Sequence, residues 1–193
     1  MRIVAGEWRN RRLAAPKGVM TRPTSDRVRE ALFSAIAGRL GADMGGATVL
    51  DLFAGTGALS LEALSRGAAR AVLVERDRGA LAAIDENVAH MEASDRVTIV
   101  RQDVFGPGLD RGAKLGPFTL LFLDPPYRIE AVKVTAALTK LGRAGAIAFG
   151  CPVVWEHAVT AKMPAPDGFA IERTYKYGDT AVTLLRYYEG EGA

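Results

Sequence analysis

Val49-Leu50-Asp51-Leu52-Phe53-Ala54-Gly55-Thr56-Gly57 reads as a buried strand running into a glycine-rich turn, with a helix behind it. The strand spans Thr48–Leu52 and the helix Leu59–Ser65, closed by Gly67. Gly55 and Gly57 let the backbone turn sharply and approach a ligand with no Cβ in the way. Downstream the pattern alternates: strand Ala71–Glu75, helix Gly79–Met91, strands Val97–Val100 and Thr119–Leu123, helix Ala131–Leu141, strand Val153–Glu156. Strands separated by helices of this length imply right-handed crossovers and a parallel sheet. Phe169–Tyr177 and Thr180–Tyr188 flank Gly178-Asp179 and predict an antiparallel hairpin. Upstream, Arg2–Ala5 and Arg11–Leu13 predict short hairpin strands around a turn at Gly6–Asn10. Thr24 or Ser25 then caps a helix to about Ala37, with Val28, Leu32 and Ile36 on one face, and Gly38–Gly46 is a loop. The expected fold class is α/β: a doubly wound, Rossmann-like sheet ending in an antiparallel hairpin. Residues 1–40 form a basic extension packed on a core domain of residues 41–193.

Ligands of open α/β sheets lie beyond the carboxyl ends of the strands, which makes Phe53, Ala54, Gly55, Thr56 and Gly57 the expected cofactor turn. Dinucleotide enzymes have similar turns, so the loop alone does not choose the ligand. Two details do. The third position of the dinucleotide fingerprint is Ser60, where Gly or Ala is usual, and Asp51 stands just before the turn. That carboxylate repels a pyrophosphate and attracts an ammonium or sulfonium. Glu75, 20 residues past Gly55, ends the second strand where a carboxylate can accept ribose hydroxyls. Asp103, past the third strand, is placed for an adenine amino group, with Arg76 and Val104 beside these acids as further contacts. Each acid alone is as readily a solvated strand-end residue. Together, at successive strand ends beside a glycine turn, they favour S-adenosylmethionine.

Leu120-Leu121-Phe122-Leu123-Asp124-Pro125-Pro126-Tyr127 is a second buried strand with a distinctive end. The exocyclic amine of a nucleobase is a poor nucleophile, because its lone pair is delocalised into the ring. Two acceptors gripping its N–H groups favour pyramidal geometry and the positive charge that develops on nitrogen. Asp124 supplies a carboxylate and Pro125 a carbonyl, while the prolines keep the turn rigid and free of competing donors. Tyr127 offers a face for base stacking, worth roughly 1–3 kcal/mol. Methyl transfer is then an in-line displacement, with nitrogen and carbon held about 3–3.5 Å apart. A plain strand-to-loop turn is the bland alternative, since Pro-Pro often marks one.

Charge points the same way. The chain carries +3 overall, but residues 1–30 hold eight basic residues against three acidic ones, a surplus of five, leaving −2 elsewhere. A basic arm on a near-neutral body fits a polyanion, although an arginine-rich solvated surface fits as well. Cys151 is the single cysteine, which excludes an internal disulfide and reads as a small buried hydrophobe. Neither His90 nor His157 belongs to a metal-spaced cluster, and neither a Gly-x-Ser-x-Gly elbow nor a Walker loop is present. With no signal peptide and no long apolar span, the expected location is the cytoplasm. A monomer is the expectation for this size.

The chain resembles the RsmD family, bacterial methyltransferases of guanine N2 in 16S ribosomal RNA. The resemblance rests on Arg2-Ile3-Val4-Ala5-Gly6-Glu7-Trp8-Arg9-Asn10-Arg11-Arg12-Leu13 and Thr21-Arg22-Pro23-Thr24-Ser25-Asp26-Arg27-Val28-Arg29-Glu30-Ala31-Leu32-Phe33. It continues through Asp51 to Gly57, Leu61 to Gly67 and Asp124-Pro125-Pro126-Tyr127. It implies a class I methyltransferase fold with seven strands, the last antiparallel. It also implies Thr24 and Arg27 near the methionine end of S-adenosylmethionine, and RNA contacts from Arg2, Arg9, Arg11, Arg12, Arg22 and Arg29. The implied partner is 16S rRNA, as the small subunit or an assembly intermediate. Some relatives have Phe where Tyr127 stands, which would make its hydroxyl dispensable. Adenine N6 in DNA or RNA is the nearest rival target, since Asp-Pro-Pro-Tyr serves both amines. A dinucleotide-dependent oxidoreductase and a non-catalytic RNA-binding module are the readings from other classes.

Overall fold

A computed structural model describes residues 1–15, 29–30, 32–34, 36–37 and 44–188. From residue 48 onward the elements run β1 (Thr48–Asp51), α1 (Ala58–Ser65), β2 (Arg70–Glu75), α2 (Arg78–His90), β3 (Val97–Arg101), α3 (Pro107–Ala113) and β4 (Leu120–Leu123). They continue as α4 (Ala131–Arg143), β5 (Pro152–Ala158), β6 (Phe169–Tyr177) and β7 (Thr180–Tyr187). The sheet order is β3-β2-β1-β4-β5-β7-β6. The first five strands pair in parallel, and β7 runs antiparallel between β5 and β6, as the C-terminal hairpin predicts.

Side chains alternate across a strand, so each strand feeds two cores. Val49, Leu73, Leu120, Phe122 and Val154 face one layer with α1, α2 and Ile3, Trp8, Leu32, Phe33 and Ile36 of the N-terminal segment. Leu50, Val72, Leu121 and Val153 face the other, under Leu109 of α3 and Val134, Leu138 and Leu141 of α4. The helix α3 escapes sequence reasoning because Pro107, Gly108 and Gly112 depress helix propensity in a seven-residue segment. Proline at the first turn is tolerated, and buried Leu109 pins the segment. The helix α2 begins at Asp77, whose Oδ1 accepts from the Ala80 amide at 2.9 Å.

The expected N-terminal hairpin forms as a short antiparallel pairing: Arg2 bridges Arg12, the Ile3 amide donates to the Arg11 carbonyl (2.9 Å), the Asn10 amide to the Ile3 carbonyl (2.9 Å) and the Leu13 amide to the Met1 carbonyl (3.1 Å). Its outer side is docked on α1. The amides of Val4 and Ala5 donate to the Glu62 carboxylate (2.7 and 3.0 Å), and the Trp8 amide donates to Ser65 Oγ (2.9 Å). The segment is therefore bonded to α1 as well as to its own second arm. It approaches α1 so closely that a Cβ on Gly6, whose φ is 84°, would stand 1.8 Å from the Ser65 carbonyl oxygen. Helical residues 29–30, 32–34 and 36–37 fall within the helix expected to reach Ala37, and Phe33 packs on Phe122 with ring centroids 5.7 Å apart. Its expected cap at Thr24 or Ser25, and most of the Gly38–Gly46 loop, lie outside the described residues. Cys151 is buried, and burial pushes its thiol pKa up, so it packs as a hydrophobe. Among the described residues no helix is long and apolar enough to cross a membrane.

Candidate active site at the strand ends

The turn after β1 adopts positive φ at Gly55 (54°) and Gly57 (77°). A Cβ on Gly57 would also come within 3.1 Å of Leu73 Cδ2, so the position needs glycine for conformation and for space. The turn is held from three directions. Gly55 donates its amide to Glu75 Oε2 (2.9 Å), Ala54 to the Val74 carbonyl (3.2 Å), and Asn87 Nδ2 donates to the Thr56 carbonyl (2.9 Å). Asn87 also grips the backbone of Ala14 from both sides, accepting from its amide at 2.6 Å and donating to its carbonyl at 3.2 Å. It thereby ties the glycine turn to the N-terminal arm. Sequence reasoning missed Asn87; its signal is a polar residue beside Ala83, Ile84 and Val88 on the buried face of α2.

Strand alternation brings acids from four neighbouring strands to one face. Glu75 ends β2, Asp51 ends β1, Asp124 follows β4, and Glu156 lies in β5. All share the parity of the Val49, Leu73, Phe122 and Val154 layer. Asp51 is 1% exposed. Its Oδ2 accepts from Ser60 Oγ (2.9 Å), the Phe53 backbone amide bears on the carboxylate, and no hydrogen bond of ordinary geometry reaches Oδ1 among the described residues. Ser60, at the third fingerprint position, is thus the support of this carboxylate. Burial pushes the Asp51 pKa up to about 7; the Ser60 hydrogen bond pulls against that, and the charge of Glu75 adds to it. The Asp124 carboxyl is also raised well above the ordinary range, first by burial, then by the charges of Glu156 and Asp51. Glu156 was not anticipated either; an acid inside the apolar run Val153-Val154-Trp155 is its signal.

Glu75 and Asp103 are partly committed within the protein. Glu75 Oε1 accepts the amides of Arg76 (2.7 Å) and Asp77 (2.8 Å), so with Gly55 on Oε2 the carboxylate keeps roughly one of its four lone pairs for a ligand. Asp103 accepts the Phe105 amide on Oδ1 (3.0 Å), and its Oδ2 pairs with Arg76 Nη1 at 2.5 Å. Val104 is buried behind them. Phe105, 43% exposed, stands with its ring 5.8 Å from that of Phe53. These rings give the strand ends an aromatic wall that the sequence alone did not reveal.

Beyond Asp124, the Ile129 amide closes the Pro-Pro turn on the Pro126 carbonyl at 2.8 Å. Tyr127 projects half-exposed, and its hydroxyl lies 2.7 Å from Thr180 Oγ1 at the start of β7. Behind the turn is a cavity of about 40 Å³ lined by Pro125, Pro126, Tyr127, Trp155 and His157 among others. A larger open groove of about 470 Å³ on α4 shares no residue with this site. Its Lys140 and Arg143 are paired with Asp110 and Asp167.

Of the arginines expected to meet RNA, Arg2, Arg9, Arg11 and Arg12 are exposed. Arg29 is not: it is fully buried, donates Nη2 to the Arg2 carbonyl, and lies 3.7 Å from Glu62. In this fold its charge serves the docking of the N-terminal segment, because a guanidinium sealed against a buried carboxylate cannot reach a phosphate. Arg22, Thr24 and Arg27 lie outside the described residues. Among the described residues no group of His, Cys, Asp and Glu could hold a metal ion. What the strand ends offer is a cationic ligand's cradle: a buried carboxyl, a turn that lacks a Cβ at Gly55 and Gly57, and an aromatic wall.

Comparison with known proteins places this arrangement. The family model described as conserved hypothetical protein 95 matches residues 1–186. Ribosomal RNA small subunit methyltransferase D of Escherichia coli K12 is 36% identical over 193 aligned residues, covering 99% of this chain and 92% of the relative. A solved structure of a hypothetical protein from Thermus thermophilus is 30% identical, with a TM-score of 0.78 over 95% of this chain and 98% of that one. An RNA methyltransferase from Salinibacter ruber, solved in complex with S-adenosyl-L-homocysteine, shares the fold at 20% identity and TM-score 0.64, covering 88% of this chain and 96% of its own. The sheet order with its antiparallel end is that of the class I S-adenosylmethionine-dependent methyltransferases. The chain belongs to the RsmD family, the conserved hypothetical protein 95 family of rRNA methyltransferases.

Proposed function

We propose that the protein transfers the methyl group of S-adenosylmethionine to the exocyclic N2 of a guanosine in small-subunit (16S) rRNA. The observation that carries this reading is Asp124, raised in pKa beside Glu156 and Asp51, at the head of Asp-Pro-Pro-Tyr and next to the glycine turn. S-adenosylmethionine, when bound, supplies an electrophilic methyl group on a sulfonium that is already a good leaving group.

The chain's own residues do the rest. Asp51 presents a buried carboxyl whose Oδ1 receives no hydrogen bond of ordinary geometry among the described residues, and its ionised form suits a cationic ligand. The amide-pinned turn at Gly55 and Gly57 leaves room for close backbone approach. The aromatic pair Phe53 and Phe105 suits a flat heterocycle. Asp124 and the Pro125 carbonyl accept the two N–H groups of the target amine, aligning its lone pair away from the ring. The raised pKa makes Asp124 the better proton acceptor once nitrogen has gained its fourth bond. Tyr127 stacks on the base, which must be splayed out of its helix or junction to reach the site.

One feature supports guanine over adenine. Guanine flanks its exocyclic amine with the N1–H donor on the Watson–Crick side, and a site with both Asp124 and Glu156 is rich in acceptors. Adenine would turn its N1 acceptor toward those carboxylates. The test is transfer of labelled methyl from S-adenosylmethionine to small subunits from cells lacking this protein, followed by nucleoside analysis. N2-methylguanosine is expected. N6-methyladenosine would keep the mechanism and overturn the target, and absence of label on subunits and on their assembly intermediates would overturn the proposal.

A further inference from the structure

We infer that Thr180 is a positioning residue for the substrate base, acting through the hydroxyl of Tyr127. The inference rests on the stacking role proposed for Tyr127. The hydroxyls of the two residues lie 2.7 Å apart, a short separation for an O–H···O hydrogen bond, and either can donate.

The surroundings give this bond a direction of action. Tyr127 is 48% exposed, so the body of the ring has no protein packing over much of its surface. Its backbone follows two prolines, which restrict where the ring begins but not how it swings about its own side-chain torsions. The far end of the ring is what Thr180 holds. Thr180 is itself held on both sides: it is 8% exposed, opens β7 immediately after the Gly178-Asp179 turn, and pairs in register with Ala158 of β5 and Tyr177 of β6. The preceding Asp179 carbonyl accepts the Val159 amide at 2.9 Å, which closes the same corner from the β5 side. A side chain anchored at both ends and open on a face is a preformed stacking platform. Fixing it before the base arrives removes ordering cost from the productive complex and sets the angle at which the amine meets Asp124.

The C-terminal hairpin therefore reaches the chemistry through one hydroxyl pair, although no charged or nucleophilic group of the hairpin enters the Asp-Pro-Pro-Tyr turn. It also makes the Tyr127 hydroxyl useful in this chain, where the sequence resemblance implied that it is dispensable. A phenylalanine at this position would need another means of holding its ring.

The experiment compares Thr180→Val, Thr180→Ser, Tyr127→Phe, the double variant Thr180→Val with Tyr127→Phe, and Tyr127→Leu. Steady-state methylation of small subunits lacking the modification is measured for each, together with the Kd for S-adenosylmethionine and the Tm. Thr180→Val is nearly isosteric, and removal of one hydrogen bond predicts a loss of about fivefold to tenfold in kcat/KM. Tyr127→Phe should show the same loss, and the double variant no more than either single. Thr180→Ser, which keeps the hydroxyl, should return to within about twofold of the parent. Cofactor Kd should stay constant throughout, which a general loosening of the fold would not allow. Wild-type kinetics for Thr180→Val, additive losses in the double variant, or failure of serine to rescue would each overturn the inference. Tyr127→Leu reads the platform itself: it should lose more than Tyr127→Phe, and full activity would overturn the stacking role along with the inference built on it.

Discussion

With Asp51 in the proposed cofactor site, its protonation state is expected to make cofactor binding a function of pH. Its carboxyl is 1% exposed, has one oxygen that no hydrogen bond of ordinary geometry reaches among the described residues, and carries a pKa pushed up to about 7 by burial. The ligand-free protein therefore holds Asp51 about half protonated at pH 7, and a sulfonium or ammonium prefers the ionised form. At pH 5.5 only about 3% of such a group is ionised, so affinity for S-adenosylmethionine should fall about 16-fold between pH 7 and pH 5.5. Binding at pH 7 should release about half a proton, read by titration calorimetry in two buffers of different ionisation enthalpy. Asp51→Asn should weaken binding and remove both effects. The same shift has a stability consequence whose sign is fixed. The native state holds this proton more tightly than the unfolded chain, so the contribution is full below pH 4 and is lost as pH rises from the ordinary 3.8 to about 7. That window corresponds to roughly 4 kcal/mol, so Asp51→Asn should raise the Tm of the ligand-free protein at pH 8. A Kd that stays flat from pH 5.5 to 7, or an Asp51→Asn variant with the parental slope, would refute the reasoning.

Three other expectations can be checked alongside it. Asp124→Asn should lower kcat by roughly 100-fold to 1,000-fold with the cofactor Kd changed only a few-fold, because the negative charge facing the amine is removed and the cofactor cradle is not; equal loss in both would move Asp124 out of its catalytic role. Glu62→Ala should cost about 3–5 kcal/mol in urea unfolding, since it strands the Val4 and Ala5 amides and leaves Arg66 and buried Arg29 without their carboxylate; a loss below about 1 kcal/mol would mean that the N-terminal segment docks by its apolar contacts alone. Neutralising Arg9, Arg11 and Arg12 together should lower the slope of log K against log salt for RNA binding by about 2 to 3; an unchanged slope would place the RNA contact elsewhere.

The parallel core was legible because its signals are local. An uninterrupted apolar run such as Leu120–Leu123 buries all four residues, and a helix such as α2 carries its own cap in Asp77. The short N-terminal hairpin was legible as well, from its two arms around Gly6–Asn10. Its docking was not: the Val4, Ala5 and Trp8 amides donate to Glu62 and Ser65, more than 50 residues away in sequence. No local pattern announces that contact. Arg29 fails for the same reason: an arginine in a basic stretch reads as a surface charge until a buried carboxylate is found to face it.

The site divides along the same line. Asp51 and Asp124 stood out as candidates because the turn chemistry around each is contiguous in sequence. Glu156, Asn87, Phe105 and Thr180 were not, because each belongs to the site only through a pairing register or a packed helix face. The register Leu123↔Trp155 is what sets Asp124 beside Glu156, and Ala158↔Thr180 is what sets the hydroxyl under Tyr127. In the proposed mechanism the Asp-Pro-Pro-Tyr turn thus carries the chemistry in one tetrapeptide, while the groups that tune its charge and hold its aromatic ring come from β5 and β7. Substitutions in those two strands should therefore shift rate and pH dependence without touching the tetrapeptide, which makes β5 and β7 the place to look for differences in target base among proteins that share Asp-Pro-Pro-Tyr.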